Sequence, residues 1–348
     1  MKKFVARLGL LLYAMIWGMT MLGVVASYLP LTFFPLAQLV TAFGSVLIPV
    51  HLFTYLLYRK KWRYALWILS GMIVSIWVGT YDFQLNHPES PTKDTTIKLA
   101  SYNVKSFDYQ HAKVDSLIDF LKREKVDLLC LQEFRNYQLS NKQYTQKRIA
   151  EKLEFPHHYF IKYPSHVQGV AIFSKYPITQ LDTLYISKSE VNGGVLATIE
   201  TDEGSFGIVN FHLSSFRYKA TWDDRKKKGW RRTLITIIRD TQKALRLHDD
   251  KIQKIMKAVD GYPHPLLLAG DMNSAPFSHS SMQFAGKFKD SFMERGNGLG
   301  WTIPIWKGWG VRIDYQFASE EWEICNHKIV RQTLSDHYPI IGTYSITF

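Results

Sequence analysis

The chain has 348 residues with 43 Lys and Arg against 30 Asp and Glu, a formal charge of +13, 14% aromatic residues and two cysteines. The aromatic content excludes a disordered chain, and two cysteines in this length exclude a disulfide scaffold. The charge is unevenly spread, because residues 1–80 hold seven basic side chains and no acid.

In chain order, Leu8–Leu29 and Phe33–Tyr58 contain no charged side chain, and Tyr64–Tyr81 is a further run of 18 uncharged residues. About 20 apolar residues in a helix span a bilayer, so these are three predicted transmembrane helices, the third near the lower limit. The first apolar run is longer than a signal peptide needs, and two more follow it. Pro49 and His51 interrupt the second run, and a polar side chain there is expected to face protein rather than lipid. Lys2, Lys3 and Arg7 precede the first run, while Arg59, Lys60, Lys61 and Arg63 separate the second from the third. Both clusters belong on the cytoplasmic side. Three crossings then deliver the remaining chain to the opposite face, which is the periplasm for a bacterial inner membrane. Residues 1–81 are thus expected to form a multi-pass membrane region, and 82–96, with Pro88 and Pro91, a polar linker.

From 97 to 348 the pattern alternates. Ile97–Val104, Leu128–Phe134, Val170–Ser174, Val195–Glu200, Gly207–Leu213, Pro265–Gly270, Arg312–Ala318 and Ile340–Ile346 read as strands. Val114, Leu117, Ile118 and Leu121 recur at helical spacing, and a basic helix runs through Arg232–Val259. This predicts one mixed α/β domain. Polar residues stand at the strand ends: Asn103, Glu133, His212, Asp271, Asn273, Asp314 and the pair Asp336–His337. Strand ends and the loops beside them present groups to a crevice. Carboxylates, amides and a carboxylate-backed histidine are the groups that hydrolyse a phosphate ester: acids hold a hard divalent cation, and acid–base groups handle the proton of water.

The segments "SYNV", "LLCLQEF", "GVAIFSKYPI", "NFHLSS", "LAGDMNSAP", "RIDYQF" and "SDHYPI", in this order, resemble the endonuclease/exonuclease/phosphatase superfamily, which includes deoxyribonuclease I, sphingomyelinases and inositol-polyphosphate phosphatases. The resemblance covers about Lys98–Phe348. It implies a four-layer α/β/β/α sandwich of two packed mixed sheets and an Mg²⁺- or Mn²⁺-dependent attack of water on phosphorus. It further implies Glu133 as principal metal ligand with Asn103 beside it and Asp336 as a second metal-side carboxylate. Asp271 is implied as the group that orients or deprotonates water, Asn273 as a ligand for phosphate or nucleophile, and His337, oriented by Asp314, as the phosphate-contacting histidine. His212 is the other active-site histidine. Gln168 stands where deoxyribonuclease I has a glutamate for that histidine, so His212 is expected to act neutral. Lys105 stands two residues after Asn103 where some abasic-site enzymes have an acid, which bears on a second metal.

Substrate recognition is expected in two places. Residues 217–257 contain 14 Lys and Arg against 5 Asp. Arg217 and Lys219 with Trp222 are suited to a nucleic-acid backbone and its bases, or to anionic phospholipid headgroups. Trp301, Trp306 and Trp309 precede Asp314 at the expected rim. The first expectation is a membrane-anchored nuclease-type phosphodiesterase with no obligate protein partner. The alternatives are a phospholipid or inositol-phosphate hydrolase and, from another class, a catalytically silent membrane-bound binding module.

Overall fold

The computed structural model describes residues 2–29, 44–139, 143–187, 191–214, 230–306 and 309–348. By its internal contacts the chain forms two units, one from the described residues of 1–83, 216–246 and 275–283 and the other from 84–215, 247–274 and 284–348.

The first unit is helical. Helix α1 (Lys2–Tyr28), α2 (Gly44–Tyr58) and α3 (Trp62–Gly79) are built almost wholly of apolar residues. Two of them, over Arg7–Tyr28 and Trp62–Gly79, are long and apolar enough to cross a membrane. Among the described residues two helices rather than the predicted three are long and apolar enough to cross, and the second predicted span, 33–58, is represented there by the shorter apolar helix Leu47–Tyr58. Residues 30–43 lie outside the described residues.

The helices interlock through polar and small residues. Tyr13 Oη meets His51 Nδ1 at 2.7 Å, and Trp17 Nε1 donates to Ser70 Oγ at 3.1 Å. His51 therefore faces protein, as expected of a polar group in an apolar helix. A Cβ on Gly71 would lie within 2.9 Å of His51, Trp17 and Tyr13, so only glycine lets the three helices close there. Near the C-terminal ends of α1 and α3, Phe277 packs against Tyr28, Trp77 and Tyr81, with ring centroids 6.0, 4.7 and 5.0 Å away. Since Tyr13 also packs on Trp67, α1 and α3 run parallel.

The second unit contains two six-stranded mixed sheets. The first is built from β1 (Thr95–Asn103), β2 (Leu128–Arg135), β3 (His157–Lys162) and β4 (Gln168–Ser174), joined later by β11 and β12. The second holds β5 (Ile178–Ile186), β6 (Gly193–Glu200), β7 (Ser205–His212), β8 (Leu266–Asp271), β9 (Lys289–Asp290) and β10 (Asp314–Ala318). Strands β11 (Glu323–Ile329) and β12 (Ile340–Ile346) complete the first sheet beside β1.

Strand alternation explains why the sequence shows apolar runs rather than a polar face. In β1 and β2, Ile97, Leu99, Leu128 and Cys130 enter the core between the sheets, while Ala100, Tyr102, Leu129 and Leu131 meet helices α4 (His111–Glu124) and α5 (Thr145–Leu153). Both faces are covered, so both must be apolar. On the second sheet Val209, Phe211, Leu266 and Leu268 pack on Ile252, Ile255 and Val259 of α6 (Trp230–Val259). Each such residue contributes about 1.5–3 kcal/mol by leaving water.

This topology places the site. Each sheet has one parallel pair joined by a helical crossover: β1 with β2 through α4, and β7 with β8 through α6. Parallel strands end together, so Asn103 and Glu133 share one sheet end, and His212 and Asp271, which are register partners, share the other. Asp314 starts β10 directly opposite Asp271. His337 precedes β12, which runs antiparallel to β1 with Ile340 opposite Ser101.

The segment expected as a linker is fastened along this unit: Asn86 Nδ2 donates to Met293 O, the Glu89 N–H donates to Cys325 O, and Glu89 pairs with Arg295.

Candidate active site

The sheet ends gather Asn103, Glu133, His212, Asp271, Asp314 and His337 into one cluster. Asn103 Nδ2 donates to Glu133 Oε1 at 3.3 Å and to Asp271 Oδ2 at 2.9 Å, and so bridges the two sheets. Its Oδ1 accepts the Lys105 N–H at 3.1 Å. His212 Nε2 lies 3.5 Å from Asp271 Oδ2 and 3.8 Å from Glu133 Oε1. His337 Nδ1 meets Asp314 Oδ2 at 2.9 Å, while its Nε2 stands 3.8 Å from Asp271 Oδ2. Asp271 and Asp314 are 1% and 3% exposed, so the cluster concentrates negative charge where water is scarce.

Local backbone makes this convergence achievable. Glu133 and Asn273 have φ of 49° and 52°, the left-handed region that costs a non-glycine residue about 1 kcal/mol or more. At Glu133 the β2–β4 pairing slips between Leu131 and Phe134. Such a bulge re-aims a strand-end side chain. Buried Gln132 donates through its Nε2 to Ser101 Oγ and Asn210 Oδ1. At Asn273 the backbone N–H donates to Asp271 Oδ1 at 2.8 Å, and Nδ2 donates to Leu213 O at 2.9 Å, closing the turn over Asp271. Asp314 is held by its N–H, which with that of Ile313 donates to Thr302 Oγ1.

The electrostatics separate the groups. Burial pushes the Asp271 carboxyl up, Asp314 adds to this, and His337, His212 and Asn103 offset it in part, leaving it at about 6. Burial alone would lower His337, but Asp314, Asp271 and Asp336 outweigh it and raise the imidazole to about 10. His212 goes the other way: burial lowers it more than Asp271 raises it, which favours the neutral imidazole. Its Nδ1 is buried with no hydrogen bond among the described residues. An acid raised towards neutrality beside a histidinium is an acid–base pair set apart by environment.

Among the described residues Asp271, Asp314 and His337 offer atoms within 4.8 Å of one another, a grouping able to hold a metal ion. Glu133 and Asp271 add a second set, two carboxylates facing one amide. Oxygen-rich donors carrying surplus negative charge fit a hard divalent cation such as Mg²⁺ or Mn²⁺. Asp336, expected on the metal side, is instead engaged at both oxygens: Lys105 Nζ lies 2.7 Å from Oδ2, and Ser335 Oγ donates to Oδ1 at 3.1 Å. That partnership holds the Lys105 ammonium above its usual pKa and the Asp336 carboxyl, despite its burial, below its own.

Of the expected substrate residues, Trp301 is placed at this end of the unit. The Arg331 guanidinium sits over the Trp301 and Tyr338 rings, 5.9 and 5.5 Å from their centroids, and the Tyr338 N–H donates to Thr302 O. Trp309 lies in the hairpin Ile303–Trp306 / Trp309–Val311, and only the backbone of Trp306 is described there. Arg217, Lys219 and Trp222 lie outside the described residues.

Residues that the sequence left unmarked support the site from behind. His248 Nε2 lies 2.8 Å from Met272 O, Lys251 Nζ donates to Ser214 Oγ, and Tyr185 Oη donates to His212 O. The available signal was weak: a histidine and a lysine on the apolar side of an amphipathic helix.

Residues 100–337 match the endonuclease/exonuclease/phosphatase family. No curated protein matches the sequence. Among solved structures, the endonuclease/exonuclease/phosphatase of Bacteroides vulgatus is similar at 14% identity and a TM-score of 0.55, over 73% of this chain and all of that one. A family protein of Leptotrichia buccalis follows at 17% identity and 0.51, over 72% of this chain and 100% of that one. The human Nocturnin catalytic domain, solved with bound sulfate, gives 17% and 0.52 over 74% of this chain and 96% of its own. The chain belongs to the endonuclease/exonuclease/phosphatase family, with the two-sheet fold of that family.

Proposed function

We propose that this member of the family is a membrane-anchored, divalent-metal-dependent phosphodiesterase of nuclease type. The observation that supports this best is His337, held by Asp314 on one nitrogen and facing Asp271 with the other. A histidinium there offers its Nε2–H to a non-bridging phosphate oxygen, while Asp271 takes a proton from the attacking water. Water oxygen bonds to phosphorus and the ester oxygen leaves as an alcohol, its proton supplied by solvent. Glu133 is the residue that would hold the ion, with Asn103 beside it setting its spacing from Asp271. When bound, a divalent cation supplies positive charge to the phosphate oxygens. Asn273 holds the Asp271 carboxylate in line through its backbone N–H, and neutral His212 offers a further donor.

The anchor reading is supported by helix direction. α1 and α3 run parallel and each begins at a basic cluster, so both start on the cytoplasmic side, and α3 leads the chain to the non-cytoplasmic face. A reporter fused after Phe348 tests this: activity confined to the cytoplasm would refute it. A second substrate reading, a phospholipid or inositol-phosphate hydrolase, is favoured by one observation. The segment that starts two residues after Asn273 groups with the apolar helices, with Phe277 packed among Tyr28, Trp77 and Tyr81.

The deciding experiment incubates the full chain in detergent micelles with plasmid DNA, RNA, sphingomyelin and phosphoinositides, with Mg²⁺, Mn²⁺ or EDTA. Nucleic-acid cleavage that EDTA abolishes is expected. Lipid cleavage alone would reverse the order of the two readings, and no turnover of any phosphoester by the folded protein would favour a binding module.

A further inference from the structure

We infer that Lys105 supplies the counter-charge for Asp336, so that Asp336 is withheld from the metal and the ion is held on the Glu133 side alone. The inference rests on the proposed metal-dependent reading. Both Asp336 oxygens are already committed, Oδ2 to the Lys105 ammonium at 2.7 Å and Oδ1 to the Ser335 hydroxyl at 3.1 Å. Among the described residues no Lys or Arg side chain pairs directly with Glu133: its Oε1 meets the amide of Asn103 and lies 3.8 Å from His212 Nε2.

Lys105 is placed, not merely nearby. It opens a turn, Lys105–Tyr109, in which Lys105, Ser106, Phe107 and Asp108 all have positive φ, between 43° and 55°. Four successive residues in the left-handed region do not persist without outside support. That support comes from the site. The Lys105 N–H donates to Asn103 Oδ1, Ser106 Oγ donates to Glu133 O at 3.3 Å, and the Val104 N–H donates to Gln132 O. Phe107, 1% exposed, locks the turn against Phe134, the residue after Glu133. The same backbone contacts that aim Glu133 therefore aim the Lys105 ammonium at Asp336. A dication on Asp336 would have to share one carboxylate with that ammonium, and like charges in contact repel, a repulsion moderated by water because the pair is about half exposed.

The test is Mn²⁺ binding to the full chain in detergent micelles, by calorimetry and by the paramagnetic signal of free Mn²⁺, without substrate. E133Q is expected to weaken binding by about 100-fold, whereas D336N shifts it by less than about threefold. K105Q, by freeing the Asp336 carboxylate, is expected to tighten binding by about fivefold or more, or to add a second ion. The double variant K105Q/D336N should return to the wild-type affinity, as a cycle through one pair requires. K105R keeps the cation and should bind as wild type does. D336N weakening binding as much as E133Q, or K105Q leaving affinity and stoichiometry unchanged, would overturn the assignment of Lys105. If E133Q bound Mn²⁺ as wild type does, the metal-site reading itself would fall, and that outcome is distinct from the other two.

Discussion

Two buried ionic clusters sit only two residues apart in the chain and are built on opposite principles. At one, Arg312 Nη1 donates to both oxygens of Asp290 at 2.9 and 2.8 Å, its guanidinium stacks on the Phe292 and Tyr315 rings, and Asp290 also accepts the Phe292 N–H at the start of the helix Ser291–Arg295. Its charges are paired one to one. At the other, which begins at Asp314, the partners of Glu133, Asp271 and Asp314 among the described residues are amides, neutral His212 and the His337 histidinium, and two of its residues, Glu133 and Asn273, hold left-handed backbone. The first arrangement needs no ligand to be satisfied. The second sets three acids against one histidinium, His337, and so gains from added positive charge, which is how a binding site differs from a structural ion pair in one fold.

The comparison is sharpened by variants, starting with the largest expected effect. R312A leaves Asp290 buried without its cation and should cost about 3–5 kcal/mol of stability, read from the urea midpoint. H337Q should lower the hydrolysis rate by about 10²–10³-fold, and because it also leaves Asp314 buried without its cation, a loss of stability is expected beside the loss of rate. A rate unaffected by H337Q, or a stability unaffected by R312A, would break the distinction between the two clusters. The pH profile comes next. Asp271 acts as a base only when ionised, so the rate should rise with pH through about 6. His337 donates only when protonated, so the rate should fall through about 10. The limbs belong to the coupled pair, and D314N, which removes the main charge raising His337, should draw the upper limb down. The smallest effect is expected on the surface, where K254A breaks the Asp250–Lys254 pair at 2.8 Å. A loss of about 0.3–0.5 kcal/mol is the ordinary value for an exposed pair one helical turn apart.

Much of the fold was legible because central strands covered on both faces must be apolar. Ile340–Ile346 matches its predicted bounds, and Leu128, Val195 and Leu266 each fall within two residues of a predicted strand start. Within the two sheets the strands that escaped are β3, β5, β9 and β11. The exposed edge strands His157–Lys162 and Ile178–Ile186 bury few side chains fully, so they carry no apolar run to see. At the site, identity was legible and partnership was not. Asn103, Glu133, Asp271, Asp314 and His337 stand at strand ends where the sequence put them. That Asn103 bridges the sheets, that Glu133 and Asn273 are left-handed, and that Lys105 meets Asp336 across 231 positions depend on tertiary register. Arg312 shows the same limit, since a charged residue in "RIDY" reads as exposed until its acid, 22 positions earlier, is seen beside it.

The central claim is that surplus buried acid makes this a metal-dependent phosphodiesterase. It is tested most directly by following hydrolysis of bis(4-nitrophenyl) phosphate by the full chain while Mg²⁺ or Mn²⁺ is titrated, with E133Q and H337Q in parallel. The account predicts activity that rises with the metal, disappears in EDTA, returns on adding the ion back, and is nearly absent in both variants. Hydrolysis that ignores EDTA, or that survives E133Q and H337Q together, would contradict it.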